Sequence, residues 1–348
     1  MGSRLLRFAL TAILIALAFG SGSARAAPRT AEEKQIDDAV ARALEYLARQ
    51  QRPSGAWATD PHGESTAATS LALMAFMASG HVPGEGPYGD ALLRGVDWVL
   101  AEQRRDGLLI SRQGHGQPMY DHGISALMLA EVVGMLDKQR GERCRRALED
   151  AVRLILRAQS VPKSSHHAGG WRYHPTSNDS DLSVTGWQLL ALRAAKNVGC
   201  DVPAEHIDRA VEYVKKCYQS GGFGYQPGHG PSATRKGTGI LCLEICGQHH
   251  ADESLAAAES LLRNPLGLGE PYFFYGVYYC SVGMFQVGGR HWEQFRSDLF
   301  RLLVGNQQPD GSWTAPHHTE SRFGTIYSTS LGVLGLAVEY QYLPIYQR

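Results

Sequence analysis

The chain has 348 residues, 43% of them hydrophobic and 20% charged, with 34 basic side chains against 34 acidic ones. That length and balance suit a large globular core and exclude a disordered chain. Zero formal net charge leaves no basic face to displace counterions, so no nucleic-acid partner is expected.

The first residues stand apart from the rest. Arg4 and Arg7 precede an apolar run from Phe8 to Phe19, and Ala24-Arg25-Ala26-Ala27 follows soon after. A basic start, a short apolar stretch and a small-residue cleavage site read as a secretory signal peptide over residues 1–26. Export to the periplasm or the medium is therefore expected, with the remaining domain covering 30–348. The apolar run is short for a spanning helix, and no later stretch is long and apolar enough for one. Export permits disulfides, yet Cys144, Cys200, Cys217, Cys242, Cys246 and Cys280 lack the spacing of a disulfide framework. Buried free thiols are predicted, with a Cys200–Cys217 bridge left open.

Along the chain, amphipathic helices alternate with apolar ones. Thr30-Ala31-Glu32-Glu33 forms a capping box, after which Ile36, Val40, Leu44 and Leu47 fall at helical spacing. Comparable stretches near 88–104, 142–159, 204–219, 252–263 and 291–306 are predicted outer helices. Between them lie segments that are small, apolar or hydroxylic on every side, which a helix can be only when buried all round. The first begins at Ser65-Thr66 and the others cover 121–133, 181–195, 234–246, 272–285 and 325–339. These are predicted inner helices.

The intervening turns share a glutamine, a glycine and an aromatic. The pattern is clear in Gln51…Gly55-Ala56-Trp57 and Gln307…Gly311-Ser312-Trp313. It is looser in Gln159…Gly169-Gly170-Trp171 and Gln219…Gly222-Phe223, degraded in Gln103…Gly107-Leu108, and missing from the fifth repeat. Glycine permits the reversal, the aromatic wedges between hairpins, and glutamine can bond backbone exposed at a helix end. Six such hairpins predict an all-α fold, an (α/α)6 toroid. An open superhelix is the rival, but the terminal repeats are no more polar than the middle ones, which favours closure.

These residues resemble the prenyltransferase/squalene-oxidase repeat family, the toroid superfamily of squalene and oxidosqualene cyclases and protein prenyltransferase β subunits. The Gln…Gly…Trp turns look like that family's QW motifs, and the resemblance covers about residues 30–345. The segment from Tyr272 through Phe285-Gln286-Val287-Gly288-Gly289 and Trp292 to Gly311-Ser312-Trp313 looks like a bacterial single-toroid branch. In the cyclases an aspartate opening an inner helix protonates an alkene or epoxide, and aromatic faces stabilise the resulting cation. Ser180-Asp181-Leu182-Ser183 is similar to the Ser-Asp-Cys-Thr form of that motif, which puts Asp181 in the acid's place. Asp179 matches the first acid of the Asp-x-Asp-Asp form, whereas Leu182 departs from the last, whose charge helps keep the donor protonated. The plainer alternative for Asp181 is an N-cap, a place Asp121 shares in the second repeat.

Tyr275, Tyr278 and Tyr279 of the fifth inner helix, with Trp187, Phe285, Phe323 and Tyr327, are predicted to line an axial cavity for an isoprenoid or other carbon-rich ligand. Core packing is the competing account. Asp121, His122 and Trp171 complete the expected ligand-binding set. A toroid also gathers every outer-to-inner turn on one rim. His62, His115, His166, His167, His174, His229, His317 and His318 lie in those turns, beside Asp60, Asp179, Asp310, Glu320, Arg112, Arg172 and Arg322. Converging imidazoles can bind a transition metal or move protons, and solvated loop histidines are the alternative. No cofactor is expected, with a metal at this histidine-rich rim left open. The prenyltransferase Asp-x-Cys zinc pair and a phosphate loop are both absent from the sequence, and Cys246-Gly247-Gln248 falls one residue short of a thioester motif.

The expected function is that of a squalene-cyclase-like toroid binding a large apolar or lipid ligand in its central cavity. If it is an enzyme, it is an isomerase or lyase with cyclisation initiated by Asp181. The alternatives are a non-catalytic module gripping an envelope protein or glycan, and a carbohydrate-active hydrolase or lyase.

Overall fold

The computed structural model describes residues 30–59, 63–112, 114 and 116–347. The expected signal peptide, Asp60, His62 and His115 lie outside the described residues. The outer helices are α1 (Ala31–Gln50), α3 (Gly89–Ala101), α5 (Lys138–Gln159), α7 (Ala204–Lys216), α9 (Asp252–Arg263) and α11 (Gly289–Gly305). The inner helices are α2 (Thr66–Ala78), α4 (Pro118–Val132), α6 (Leu182–Asn197), α8 (Ala233–Ile245), α10 (Phe273–Val287) and α13 (Gly324–Leu336), the last preceded by a single turn, α12 (His318–Ser321). The capping box forms as read: the Thr30 side chain accepts from Glu33 N–H and the Glu33 side chain accepts from Thr30 N–H. Helix α1 then buries one stripe, Ile36, Val40, Ala43, Leu44 and Leu47, whereas α2 buries every residue but Ala67.

The inner helices pack in sequence, α2 on α4, α4 on α6, α6 on α8, α8 on α10 and α10 on α13, and α13 returns to α2. The ring is closed. Outside it, α1 packs on α11 and completes the second layer.

The turns show why the motif needs its three residue types. Gln51 Nε2 donates to Gly55 O at 2.9 Å and to Ala91 O on the next outer helix at 2.8 Å. Gln103, Gln159 and Gln307 repeat this double bond, to Ala147, His206 and Ala39 respectively. One amide thus ties each turn to its neighbour, and Gln307 closes the circle onto α1. Trp57, Trp171 and Trp313 wedge beneath, each indole N–H donating to a carbonyl of the preceding outer helix (Leu47, Ile155 and Leu303) at 2.7–2.8 Å. Their backbone N–H groups donate to Thr69, Thr185 and Thr329 of the following inner helix. Trp313→Phe keeps the wedge and removes the indole bond to the Leu303 carbonyl, leaving it only the Asn306 N–H at 3.2 Å. The expected cost is about 1–2 kcal/mol, read as a lower urea midpoint at unchanged slope.

The fourth copy departs from this pattern. Tyr218–Gln219 and Gly222–Phe223 pair as a two-stranded hairpin, β3 and β4, after an earlier one formed by Ala58–Thr59 and Gly63–Glu64, β1 and β2. Ser220 and Gly221 take φ of 50° and 75°, the two positive values that a tight hairpin turn needs. Gln219 is spent on the strand.

The axis is filled where the sequence reading puts a cavity. Trp187 on α6 stacks on Tyr278 of α10, rings 5.1 Å apart and 7° from parallel, and Tyr279 meets the same indole edge-on at 5.2 Å. All three are buried. Two hollows, of about 410 and 220 Å³, sit elsewhere, one on α5 beside His206 and one between α1, His81, Tyr340 and Tyr342. No helix among the described residues is long and apolar enough to cross a membrane. All six cysteines are free and all but Cys246 are buried, so the bridge left open between Cys200 and Cys217 is not formed.

Candidate functional site

The N-termini of the inner helices share the rim that carries the turns, and Asp181 opens α6 there. Its backbone is extended (φ −137°, ψ 160°), because its N–H donates to Trp171 O at 2.9 Å while Leu182 N–H donates to Tyr225 O at 2.9 Å. Pinned between those two segments, Asp181 caps α6, with Oδ1 accepting from Val184 N–H at 2.9 Å. The N-cap role is real, and it uses one oxygen only. Oδ2 faces Arg172 Nε at 3.6 Å, beyond a proper hydrogen bond. The residue is 0% exposed. Burial pushes its pKa up to about 7, against the opposing pull of the Val184 N–H, Arg172 and the Tyr225 hydroxyl.

Aromatic rings surround this carboxyl. The Arg172 guanidinium lies over Tyr173 at 4.4 Å and over Tyr225 at 5.3 Å, and the hydroxyls of those two tyrosines bond each other. Tyr120 packs on Tyr173 and lies within electrostatic reach of Asp181. Tyr275, whose hydroxyl bonds Thr238 at 2.6 Å, closes the far side. Asp179 is half-buried and meets Arg172 Nε at 3.5 Å, so one guanidinium serves both acids.

Glu320, read from sequence only as one rim acid among several, has a more particular place. Tyr272, ahead of α10, has φ 60° and offers no side-chain cap. The first N–H groups of α10 instead reach the fully buried Glu320 of α12: Tyr275 and Phe274 donate to its two oxygens at 3.0 Å each. Burial lifts its pKa to about 7, and Tyr327, half-buried at the mouth, lies beside it. The signal in the sequence was the missing cap before Phe273.

The other expected ligand contacts separate. Asp121 is not the N-cap of α4, which starts earlier, at Pro118; its Oδ1 faces the start of α2, at Thr66 Oγ1 (3.2 Å) and Ala67 N (3.4 Å). His122 stands where the first, third and sixth repeats have Thr69, Thr185 and Thr329. Its Nδ1 accepts from Leu109 N–H at 3.1 Å and its Nε2 faces Ala151 O at 3.1 Å, which fixes a neutral ring with the proton on Nε2. Burial depresses its pKa to about 4, and both nitrogens are consumed by backbone. Trp171 is a wedge behind the site, and Trp187, Tyr278 and Tyr279 fill the axis. Only Asp181, Asp179, Tyr275 and Tyr327 of the expected set lie at the mouth.

The rim histidines bond locally. His166 Nε2 meets Pro227 O at 3.0 Å, His167 Nδ1 accepts from Ser180 N–H at 3.2 Å, and His317 stacks on His318. Among the described residues no group of three or more histidines, cysteines and acids gathers to hold a metal ion.

Three buried acids have raised pKa values: Asp181 and Glu320 at about 7, and Glu131, near the C-terminus of α4, at about 8. In the unfolded chain they ionise near 4. From there up to about 8 the native state holds more protons, so stability falls as pH rises. His122 acts only below its unfolded value of 6.5, where stability is lost as pH falls. Unfolding free energy is therefore expected to drop between pH 6.5 and 8.5, on the order of 3 kcal/mol, and denaturant melts at the two values measure it.

A family model described as the prenyltransferase alpha-alpha toroid domain matches residues 2–108 and 97–264. The chain belongs to that family. No curated protein matches the sequence. Among solved structures, a ligand-free variant of the type II terpene cyclase MstE from Scytonema superposes with a TM-score of 0.61 at 16% identity, covering 90% of this chain and 99% of that one. A second MstE variant, in complex with its substrate geranylgeranyl dihydroxybenzoate, gives 0.58 at 14% identity with the same coverage. An inactive variant of the alpha-1,6-mannanase GH76A from Salegentibacter, in complex with alpha-1,6-mannotriose, gives 0.65 at 10% identity, covering 87% and 98%. At these identities the likeness extends to the toroid fold that all three chains share.

Proposed function

We propose that this toroid is an exported, acid-initiated enzyme of the type II terpene cyclase kind, with Asp181 as the proton donor. The observation that carries the reading is a fully buried carboxyl with one oxygen fixed by a helix N–H, the other facing Arg172 Nε at 3.6 Å with the Tyr225 hydroxyl nearby, and a pKa near neutrality. Such a group is protonated at working pH and acidic enough to give the proton up. The proton passes from Asp181 to one carbon of an electron-rich double bond. The π pair becomes the new C–H bond, and the positive charge develops on the other carbon. The faces of Tyr120, Tyr173, Tyr225 and Tyr275 stabilise that cation. Loss of a proton or capture of water ends the sequence, and half-buried Asp179 with Arg172 offers a route for reprotonation. Because the axis is packed and Asp181 is fully buried, the apolar ligand enters from the mouth and displaces rim side chains over that carboxyl to reach it.

The test is incubation of the purified chain with geranylgeranyl dihydroxybenzoate and, separately, squalene. A product of equal mass and changed retention supports the reading; recovery of both compounds unchanged at pH 5, 6 and 7 counts against it. A second reading, glycoside hydrolysis, draws on the acid pair. Asp179 and Asp181 oxygens stand 3.5 and 3.6 Å from one nitrogen and are therefore at most about 7 Å apart, a limit that admits the ~5–5.5 Å of a retaining pair. Cleavage of alpha-1,6-mannotriose would favour it.

A further inference from the structure

The opposite end of the ring is closed by the chain itself. After α13 the backbone makes a 3-10 turn at Ala337–Tyr340, reverses through Gln341 (φ 52°) and ends in a second turn at Pro344–Tyr346. Leu343, Ile345 and Tyr346 of this tail are buried, Tyr346 to 1% exposure. Ile345 N–H donates to Glu131 Oε2 on α4 at 3.2 Å, and Gln286 Nε2 on α10 donates to Tyr346 O at 3.0 Å. In the ring order α2, α4, α6, α8, α10, α13, helices α4 and α10 stand opposite each other, so these two bonds stretch the tail across the axis. It also packs on α6 between them. The Tyr346 phenol points at Tyr278, the residue whose ring stacks on Trp187 in the centre.

We propose that residues 343–346 are a removable plug, and that the well it fills is a binding site for an apolar molecule carrying a phenol or alcohol group. The chain supplies the template for that ligand. Tyr346 is an aromatic ring with one hydroxyl, seated among inner-helix ends where Tyr278 and Glu131 are the polar partners. A second feature fits removability: among the described residues the buried turn is tied to the ring helices through side chains, by Glu131 and Gln286 and by the Tyr346–Tyr278 hydroxyl pair, and not by a helix or sheet ladder. A well so vacated, apolar apart from Tyr278 and Glu131, takes up ligands that match its shape and its polar groups. The site is on the face away from Asp181 and does not depend on the proposed acid chemistry.

The experiment uses two variants and p-cresol, the side-chain analogue of tyrosine, with toluene as the control lacking the hydroxyl. Tyr346→Ala in the full chain should lose thermal stability and regain it with p-cresol, binding it roughly ten-fold or more tightly than toluene. The wild-type protein should show no such shift. A chain ending at Tyr342 should remain folded by circular dichroism and bind 4-octylphenol, which the full chain excludes. The proposal is overturned if p-cresol leaves Tyr346→Ala unchanged, or if wild type responds equally. It is also overturned if the shortened chain is unfolded, since the tail would then be a fixed part of the core.

Discussion

Gly311→Ala is expected to destabilise the protein by about 3 kcal/mol or more, a large share of a typical total. Gly311 has φ 93°, a region that L side chains rarely adopt. A Cβ placed there would come within 2.6 Å of the Arg42 carbonyl carbon and closer still to its oxygen, and these are backbone atoms of α1 that cannot rotate away. The same approach brings Gln307 Nε2 to Ala39 O at 2.8 Å, so relieving the clash breaks the bond that joins the last turn to the first helix. Strain and lost contact therefore fall together on the seam that closes the ring. Gly305→Ala is the control: a Cβ at Gly305 meets nothing within 4 Å, and alanine favours the helix end it occupies. Urea unfolding should show a collapsed midpoint for the first variant and an unchanged or slightly higher one for the second.

Asp181→Asn should abolish turnover while sparing the fold. Its amide oxygen can still accept from Val184 N–H, so the cap on α6 persists, but no acidic proton is left. Removal of a general acid costs about 10²–10⁴-fold, and more where the proton starts the reaction. The stability readout separates this role from capping. Wild-type Asp181 is forced to ionise in a buried site as pH climbs past 7, a penalty asparagine does not carry. The variant should thus match wild type at pH 5 and melt higher at pH 8.5. Asp181→Ala, which loses the cap as well, should be less stable at both. Full turnover by the asparagine variant would remove the acid role and leave Asp181 as a cap alone.

What could be read from residues alone was the part governed by period and by turn chemistry. The 3.6-residue stripe of Ile36, Val40, Leu44 and Leu47 marked an outer helix, and the glutamine, glycine and tryptophan of each turn marked the seams. Closure of the ring and the place of Asp181 at a helix start followed from the same logic. The rest depended on volume and on long-range pairing, to which a periodic pattern is blind. A helix buried on every side gives no hint of which face meets the axis, so Trp187, Tyr278 and Tyr279 read equally well as cavity lining or as filling. His122 was ambiguous for a related reason: only the hydrogen bonds of the folded turns show that it replaces Thr69, Thr185 and Thr329 as acceptor for a turn N–H. Glu320 serves a helix whose first residue, Phe273, lies 47 positions earlier, and Ile345 reaches Glu131 across 214 positions. Such partners become visible only when the ring is assembled.

The protonation state of Asp181 decides the account. With aspartate labelled at 13Cγ and the Asp181→Asn variant used for assignment, the carboxyl resonance can be followed from pH 4 to 9. A midpoint close to 7 is predicted from its burial. A midpoint at or below about 4, the ordinary aspartate range, would mean a permanently charged cap with no proton to give.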